Sequence, residues 1–106
     1  MNKKYNYDVL GNAIEFLDYP HDDPLLFLIY SVLEQIGVKK LSLDNLFTYN
    51  ENDGDIVFIE DSVLGRIEIR KNSWGDIFIF PKENKQKIVE EIDKLLEKSG
   101  MFQRRY

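Results

Sequence analysis

The chain has 106 residues, of which 43% are hydrophobic and 13% aromatic, and its net charge is −5. That is enough apolar material for one core, which argues against disorder and for a single domain over residues 1–106. The absence of cysteine excludes disulfides, thiolate metal sites and cysteine nucleophiles, and it fits a reducing compartment. No apolar run approaches the ~20 residues that span a bilayer. Residues 1–8 carry a basic pair without the apolar region of a secretory signal, so a cytoplasmic protein without membrane contact is expected.

Residues 8–18 place Val9, Leu10, Ala13, Ile14 and Leu17 at i, i+1, i+4, i+5 and i+8, the stripe of an amphipathic helix, with Gly11 against it and Pro20 to stop it. A second helix is expected next. Asp22 or Asp23 can cap it, and Pro24 suits the first helical position, where a missing N–H costs nothing. Leu25, Leu26, Leu28, Ile29, Val32, Leu33 and Ile36 follow, and Gly37 can close the helix in a left-handed conformation. Phe27 and Tyr30 make this helix apolar almost all round, which places it at the centre of the core. Ser42 or Asp44 can open a short third helix through Leu46, Phe47 and Tyr49.

Asn52-Asp53-Gly54 is a turn signal. Three strands should follow. Residues 56–59 are a continuous apolar run, and residues 76–80 are another, stopped by Pro81. Between them, residues 64–71 alternate, with Ile67 and Ile69 on one side and Arg66, Glu68 and Arg70 on the other. The gaps at 61–63 and 72–75 are hairpin-sized, which predicts an antiparallel meander and leaves no room for crossover helices. Residues 85–98 form an amphipathic helix with Ile88, Val89, Ile92, Leu95 and Leu96 inward, ended by Gly100. On its outer side Glu90 and Lys94 are an attractive i, i+4 pair, and Lys94 and Lys98 a repulsive one. The predicted class is α+β: N-terminal helices, a three-stranded antiparallel meander, and a C-terminal helix packed on one sheet face. The flanking strands put apolar residues on both faces. Some of Val57, Ile59, Phe78 and Phe80, or their alternates, therefore lie on an exposed face unless a helix covers them, and the expected cover is the first or last helix.

Catalytic groups are sparse. The single histidine, His21, sits beside Asp22 and Asp23, but no serine lies in a nucleophile setting, so it reads as a solvated turn residue. The glycines are too scattered for a phosphate loop or a dinucleotide fingerprint. Residues 49–60 imitate a calcium-binding EF-hand loop, with Glu51 and Asp53 at loop positions 3 and 5, Gly54 at 6 and Glu60 at 12. Tyr49 stands where the first aspartate belongs, and the following segment reads as strand. Acids are plentiful, but nothing singles out a carboxylate pair for glycoside hydrolysis. No catalysis, metal or cofactor is expected.

The charge is uneven. Residues 5–63 hold twelve acids against Lys39 and Lys40, whereas residues 64–106 hold ten bases against seven acids. Such charge first of all keeps a surface solvated; beyond that, the acidic part repels nucleic acid and attracts a basic partner. Residues 44–61 contain Asp44, Glu51, Asp53, Asp55, Glu60 and Asp61 without a base, with Tyr49 among them and Tyr19 and Trp74 in other predicted loops. Aromatics that anchor beside carboxylates that steer are suited to capturing Arg or Lys, so these nine residues form the candidate partner-binding set. For Trp74 the alternative is burial beneath its hairpin turn.

The stretches YDVLGNAIEFLDYPHDDPLLFLIYSVLEQIG and IEIRKNSWGDIFIFP, in a cysteine-free acidic chain of this size, resemble bacterial immunity proteins of contact-dependent growth inhibition and related polymorphic toxin systems. The likeness is one of outline over most of the chain and assigns no role to a single residue. It implies a cytosolic antitoxin that binds a cognate toxin, often a basic nuclease, and blocks its active site or substrate surface. The electrostatics agree independently, because a nuclease presents positive charge where nucleic acid lies and an acidic inhibitor can occupy that cleft. An acidic nucleic-acid mimic from a mobile element, of anti-restriction or anti-CRISPR type, is the alternative. Either reading expects a monomer or weak dimer with no direct nucleic-acid contact.

Overall fold

In the computed structural model, which describes residues 4–19, 24–39 and 55–105, the N-terminal segment is a β-hairpin rather than a helix. Strand β1 (Tyr5–Leu10) pairs antiparallel with β2 (Ala13–Leu17) across the two-residue turn Gly11-Asn12. Beside the helical stripe the segment carries a competing strand period, in which Tyr5, Tyr7 and Val9 alternate and Ile14 and Phe16 continue on the same face. Gly11 decides between the two periods: at φ +61° it supplies the positive dihedral of a tight hairpin turn.

Helix α1 (Leu25–Leu33) starts after Pro24, whose carbonyl accepts from the amides of Phe27 and Leu28 at 3.1 and 3.3 Å. It tightens into a 3-10 turn, Glu34–Ile36, and closes at Gly37 with φ +83°. The predicted caps Asp22 and Asp23, the third helix over 42–49 and the turn at 52–54 lie outside the described residues. Strands β3 (Ile56–Ser62), β4 (Gly65–Lys71) and β5 (Ile77–Pro81) then run antiparallel to one another. Helix α2 (Lys85–Lys98) has the bounds its periodicity predicts and leads to a short strand, β6 (Phe102–Arg104). On α2, Lys94 pairs with Glu91 at 3.7 Å, one position away from the expected Glu90.

The six strands form one sheet in the order β3-β4-β5-β2-β1-β6, antiparallel throughout except where β6 runs parallel to β1. This corrects the predicted architecture. The protein is a six-stranded mixed sheet with two helices among its described residues, and the expected meander is half of that sheet rather than the whole. The N-terminal hairpin fills the other half by docking β2 against β5.

The strand registers align Tyr7, Ile14, Phe16, Phe58, Ile67, Ile69, Ile77, Ile79 and Phe102 on one face, where they meet Leu25, Ile29 and Leu33 of α1 and Ile88, Ile92 and Leu96 of α2. Phe16 packs edge-on against Phe102, with ring centroids 5.6 Å apart, and Tyr30 does the same to Phe58 at 6.2 Å. Polar ties close the rim of this layer. The Tyr30 hydroxyl donates to Glu60, the Tyr7 hydroxyl donates to Asp93, and Asp93 also receives Arg104 at 3.0 Å. The expectation that the first or last helix covers Val57, Ile59, Phe78 and Phe80 is overturned. These residues alternate with the core positions and point to the face opposite α1 and α2.

Candidate recognition surface

The turn between β4 and β5 is built by its own side chains. Asn72 Oδ1 accepts the amides of Trp74 and Asp76 at 3.0 and 2.9 Å. The Asn72 amide donates to the Asp76 carbonyl, and the Gly75 amide to the Asn72 carbonyl, both at 3.0 Å. Asparagine suits this position because its short amide imitates a backbone turn, and Gly75 supplies φ +89°.

Two distant segments brace the same turn. Asp55, just before β3, accepts the Ser73 amide at 3.2 Å and the Arg70 guanidinium at 3.0 Å. Tyr19, just after β2, donates its hydroxyl to the Gly75 carbonyl. Burial, helped by the negative charge of Asp76, pushes the Tyr19 phenol up to about 12, so the hydroxyl stays a donor at neutral pH. Trp74 crowns the turn with 77% of its surface exposed, which removes the reading of a tryptophan buried beneath the hairpin. Of the nine candidate residues, Tyr19, Asp55 and Trp74 therefore meet at one place, although the sequence separates them widely.

The remaining candidates lie elsewhere. Glu60 faces the helices and accepts from Tyr30. Asp61 sits near the other end of β3 and pairs with Arg66 at 3.0 Å, an exposed contact of the kind that adds little stability. Asp44, Tyr49, Glu51 and Asp53 lie outside the described residues, as does His21. The EF-hand comparison keeps only its second half in view: Asp55 is committed to Arg70 and Ser73, and Glu60 to Tyr30. Among the described residues no group of three or more His, Cys, Asp or Glu side chains could hold a metal, and no helix is long and apolar enough to cross a membrane.

One cluster escaped the sequence reading. On the sheet face opposite α1 and α2 Glu68 is only 8% exposed, held by Arg70 Nε at 3.1 Å and Lys82 Nζ at 3.0 Å. Burial pushes its carboxyl up, but the bonds and charges of Lys82 and Arg70 outweigh burial and hold it below the ordinary carboxylate range. Asp55, Arg70, Glu68 and Lys82 thus make a continuous chain of alternating charge. It borders a shallow groove of about 520 Å³ whose apolar wall is Phe80, itself stacked on Phe78 at 5.6 Å. The alternation of Arg66, Glu68 and Arg70 already places them on one face, but nothing in the sequence says that Lys82 reaches back to Glu68. No family model, curated protein or solved structure matches this chain.

Proposed function

We propose that this chain is an immunity-type inhibitor, a binding protein acting in the cytoplasm that neutralises a cognate toxin, a nuclease with a basic substrate surface. The observation that carries the binding half of this reading is Trp74, 77% exposed on a turn fixed from Asn72, Asp55 and Tyr19. A tryptophan held out in water exposes a large apolar area that a partner can bury. Fixing its turn in advance lowers the ordering cost of binding. The toxin half is supported by the charge of residues 5–63, which would speed encounter with a basic cleft. The nucleic-acid-mimic reading asks for an array of free carboxylates; Asp55 and Asp61 are each bonded to an arginine, and no observation favours it.

The test is co-expression with toxin domains encoded beside this gene, read as survival. Wild-type chain should protect against one of them and co-purify with it. Trp74→Ala should lose protection while its melting temperature stays unchanged. Full protection by Trp74→Ala would remove the turn from the interface, and failure of the wild type to bind any neighbouring toxin would overturn the reading itself.

A further inference from the structure

The groove beside Glu68 has a composition that its own ion pairs only partly use. Its volume of about 520 Å³ falls within the roughly 300–1,000 Å³ that small-molecule sites occupy. One side is apolar, formed by Ala13, Phe80 and Pro81. Phe78 stacks on Phe80 with 19° between the ring planes, which steadies the Phe80 ring at the groove. The other side gathers Arg70, Lys82 and Lys85 around one carboxylate, Glu68.

Both oxygens of that carboxylate already hold a cation, Oε1 that of Lys82 and Oε2 that of Arg70. Donors are left over. Glu68 takes one of the three ammonium hydrogens of Lys82, and Glu68 and Asp55 together take two of the five guanidinium hydrogens of Arg70. Lys85 has no ion pair or side-chain hydrogen bond among the described residues. The three cations outnumber the Glu68 carboxylate by two charges, and by one when Asp55 behind Arg70 is counted, in a chain whose net charge is −5. These donors reach water: the side chains of Lys82 and Arg70 are 48% and 34% exposed, and Lys85 is exposed as well. Glu15, the next residue of β2 on this face, stands beside Phe78 and does not line the groove.

We propose that this groove binds a small aromatic anion, a flat ring that carries a carboxylate or a phosphate. The ring lies against Phe80 and Pro81, and the acid group takes the spare donors of Lys82 and Lys85. Each half of the ligand answers one side of the groove. A ring without charge leaves the cations unused, and an acid without a ring leaves Phe80 uncovered, as an aspartate or glutamate of a protein partner would. Because the groove is shallow and its cations stay hydrated, the affinity should be modest, on the order of 0.1–1 mM. The site is independent of the toxin reading, since none of Tyr19, Asp55 and Trp74 lines it.

The test is a titration of the isotope-labelled chain with 2-naphthoate and with 2-naphthyl phosphate, followed by amide NMR shifts at neutral pH and constant ionic strength. Saturable shifts should concentrate at Ala13, Lys82 and Lys85, and the tighter of the two anions identifies the acid group. The neutral analogue 2-naphthalenemethanol and the ringless anion acetate should each bind at least about tenfold more weakly. Lys85→Gln, which leaves the Glu68 ion pairs intact, and Phe80→Leu, which removes the flat ring, should each weaken naphthoate at least about fivefold. Should Phe80→Leu lose its fold, Lys85→Gln, at an exposed position, still decides. Absence of saturation for both anions up to about 10 mM overturns the proposal. So do shifts spread evenly over the lysines of α2, neutral analogue binding as tight as naphthoate, or an unchanged affinity in Lys85→Gln.

Discussion

On β5, Ile77 and Ile79 point toward the helices while Phe78 and Phe80, each one peptide away, point to the opposite side. The two faces of the sheet share a backbone and differ in everything else. The helix-covered face is closed: its side chains are apolar, and its polar groups sit at the rim as tyrosine–carboxylate ties. The other face mixes a phenylalanine stack with a ladder of charges and leaves aliphatics in water. A chain this small can devote one face to stability only if the other is free to be composed for contact, and the charges there are spaced as neighbours across strands, where they steer and orient more than they stabilise.

The largest expected effect comes from moving one truncation between the faces. Phe16→Ala, in the closed layer against Tyr7 and Phe102, should cost about 3–5 kcal/mol in urea unfolding, a large part of the stability of a small domain. Phe78→Ala, on the other face of the neighbouring strand, should cost less, about 1–2 kcal/mol, because its ring is only partly buried and stacks on Phe80 rather than lying in the closed core. Equal losses would dissolve the distinction. Tyr7→Phe should cost about 1–2 kcal/mol, because it deletes the hydroxyl from a buried tie while Arg104 still satisfies Asp93.

The faces should also fail at opposite ends of the pH scale. Burial, reinforced by a hydrogen bond to a carboxylate, raises the phenols of Tyr7 and Tyr30 above the ordinary tyrosine value. Above pH 10 the unfolded chain therefore loses protons that the folded one keeps, so stability present below that pH declines as pH rises. Glu68 runs the other way. Its depressed carboxyl contributes stability above the ordinary carboxylate range, and that contribution fades as pH falls through the folded value. Urea midpoints measured against pH should show both limbs, the alkaline one flattened by Tyr7→Phe and the acid one by Glu68→Gln. The smallest effect belongs to the turn: Trp74→Ala should shift stability by no more than about 0.5 kcal/mol, because its exposed ring has little to lose on folding.

Sequence reading succeeded where a single period was available. Residues 85–98 carry only a helical repeat, and α2 forms there with the expected bounds. The alternation at 64–71 likewise gave β4 and the side on which Arg66, Glu68 and Arg70 lie. It failed at 8–18, where Val9, Leu10, Ala13, Ile14 and Leu17 spell a helical stripe while Tyr5, Tyr7, Val9, Ile14 and Phe16 carry the strand period, and the two-residue Gly11-Asn12 connection was the discriminating signal. Strand β6 carried almost no signal, because three residues are too few for a period and its partner is set by where α2 returns the chain. At the candidate surface, Trp74, Tyr19 and Asp55 were singled out, but whether Trp74 is exposed or buried stayed open in the sequence, and the meeting of the three was not legible. That meeting depends on β2 lying beside β5, a pairing between segments far apart in the chain, and local composition does not encode it.

The strand order has a further consequence during synthesis. The β1–β2 hairpin leaves the ribosome before its partners, because β2 waits for β5 and β1 waits for β6. At roughly 5–20 residues per second, both edges of the hairpin stay unpaired for several seconds. An isolated hairpin is barely stable, and bare strand edges invite pairing with other chains. Asp8, Glu15 and Asp18 lie on or beside that hairpin, and like charges there oppose edge-to-edge pairing between nascent copies.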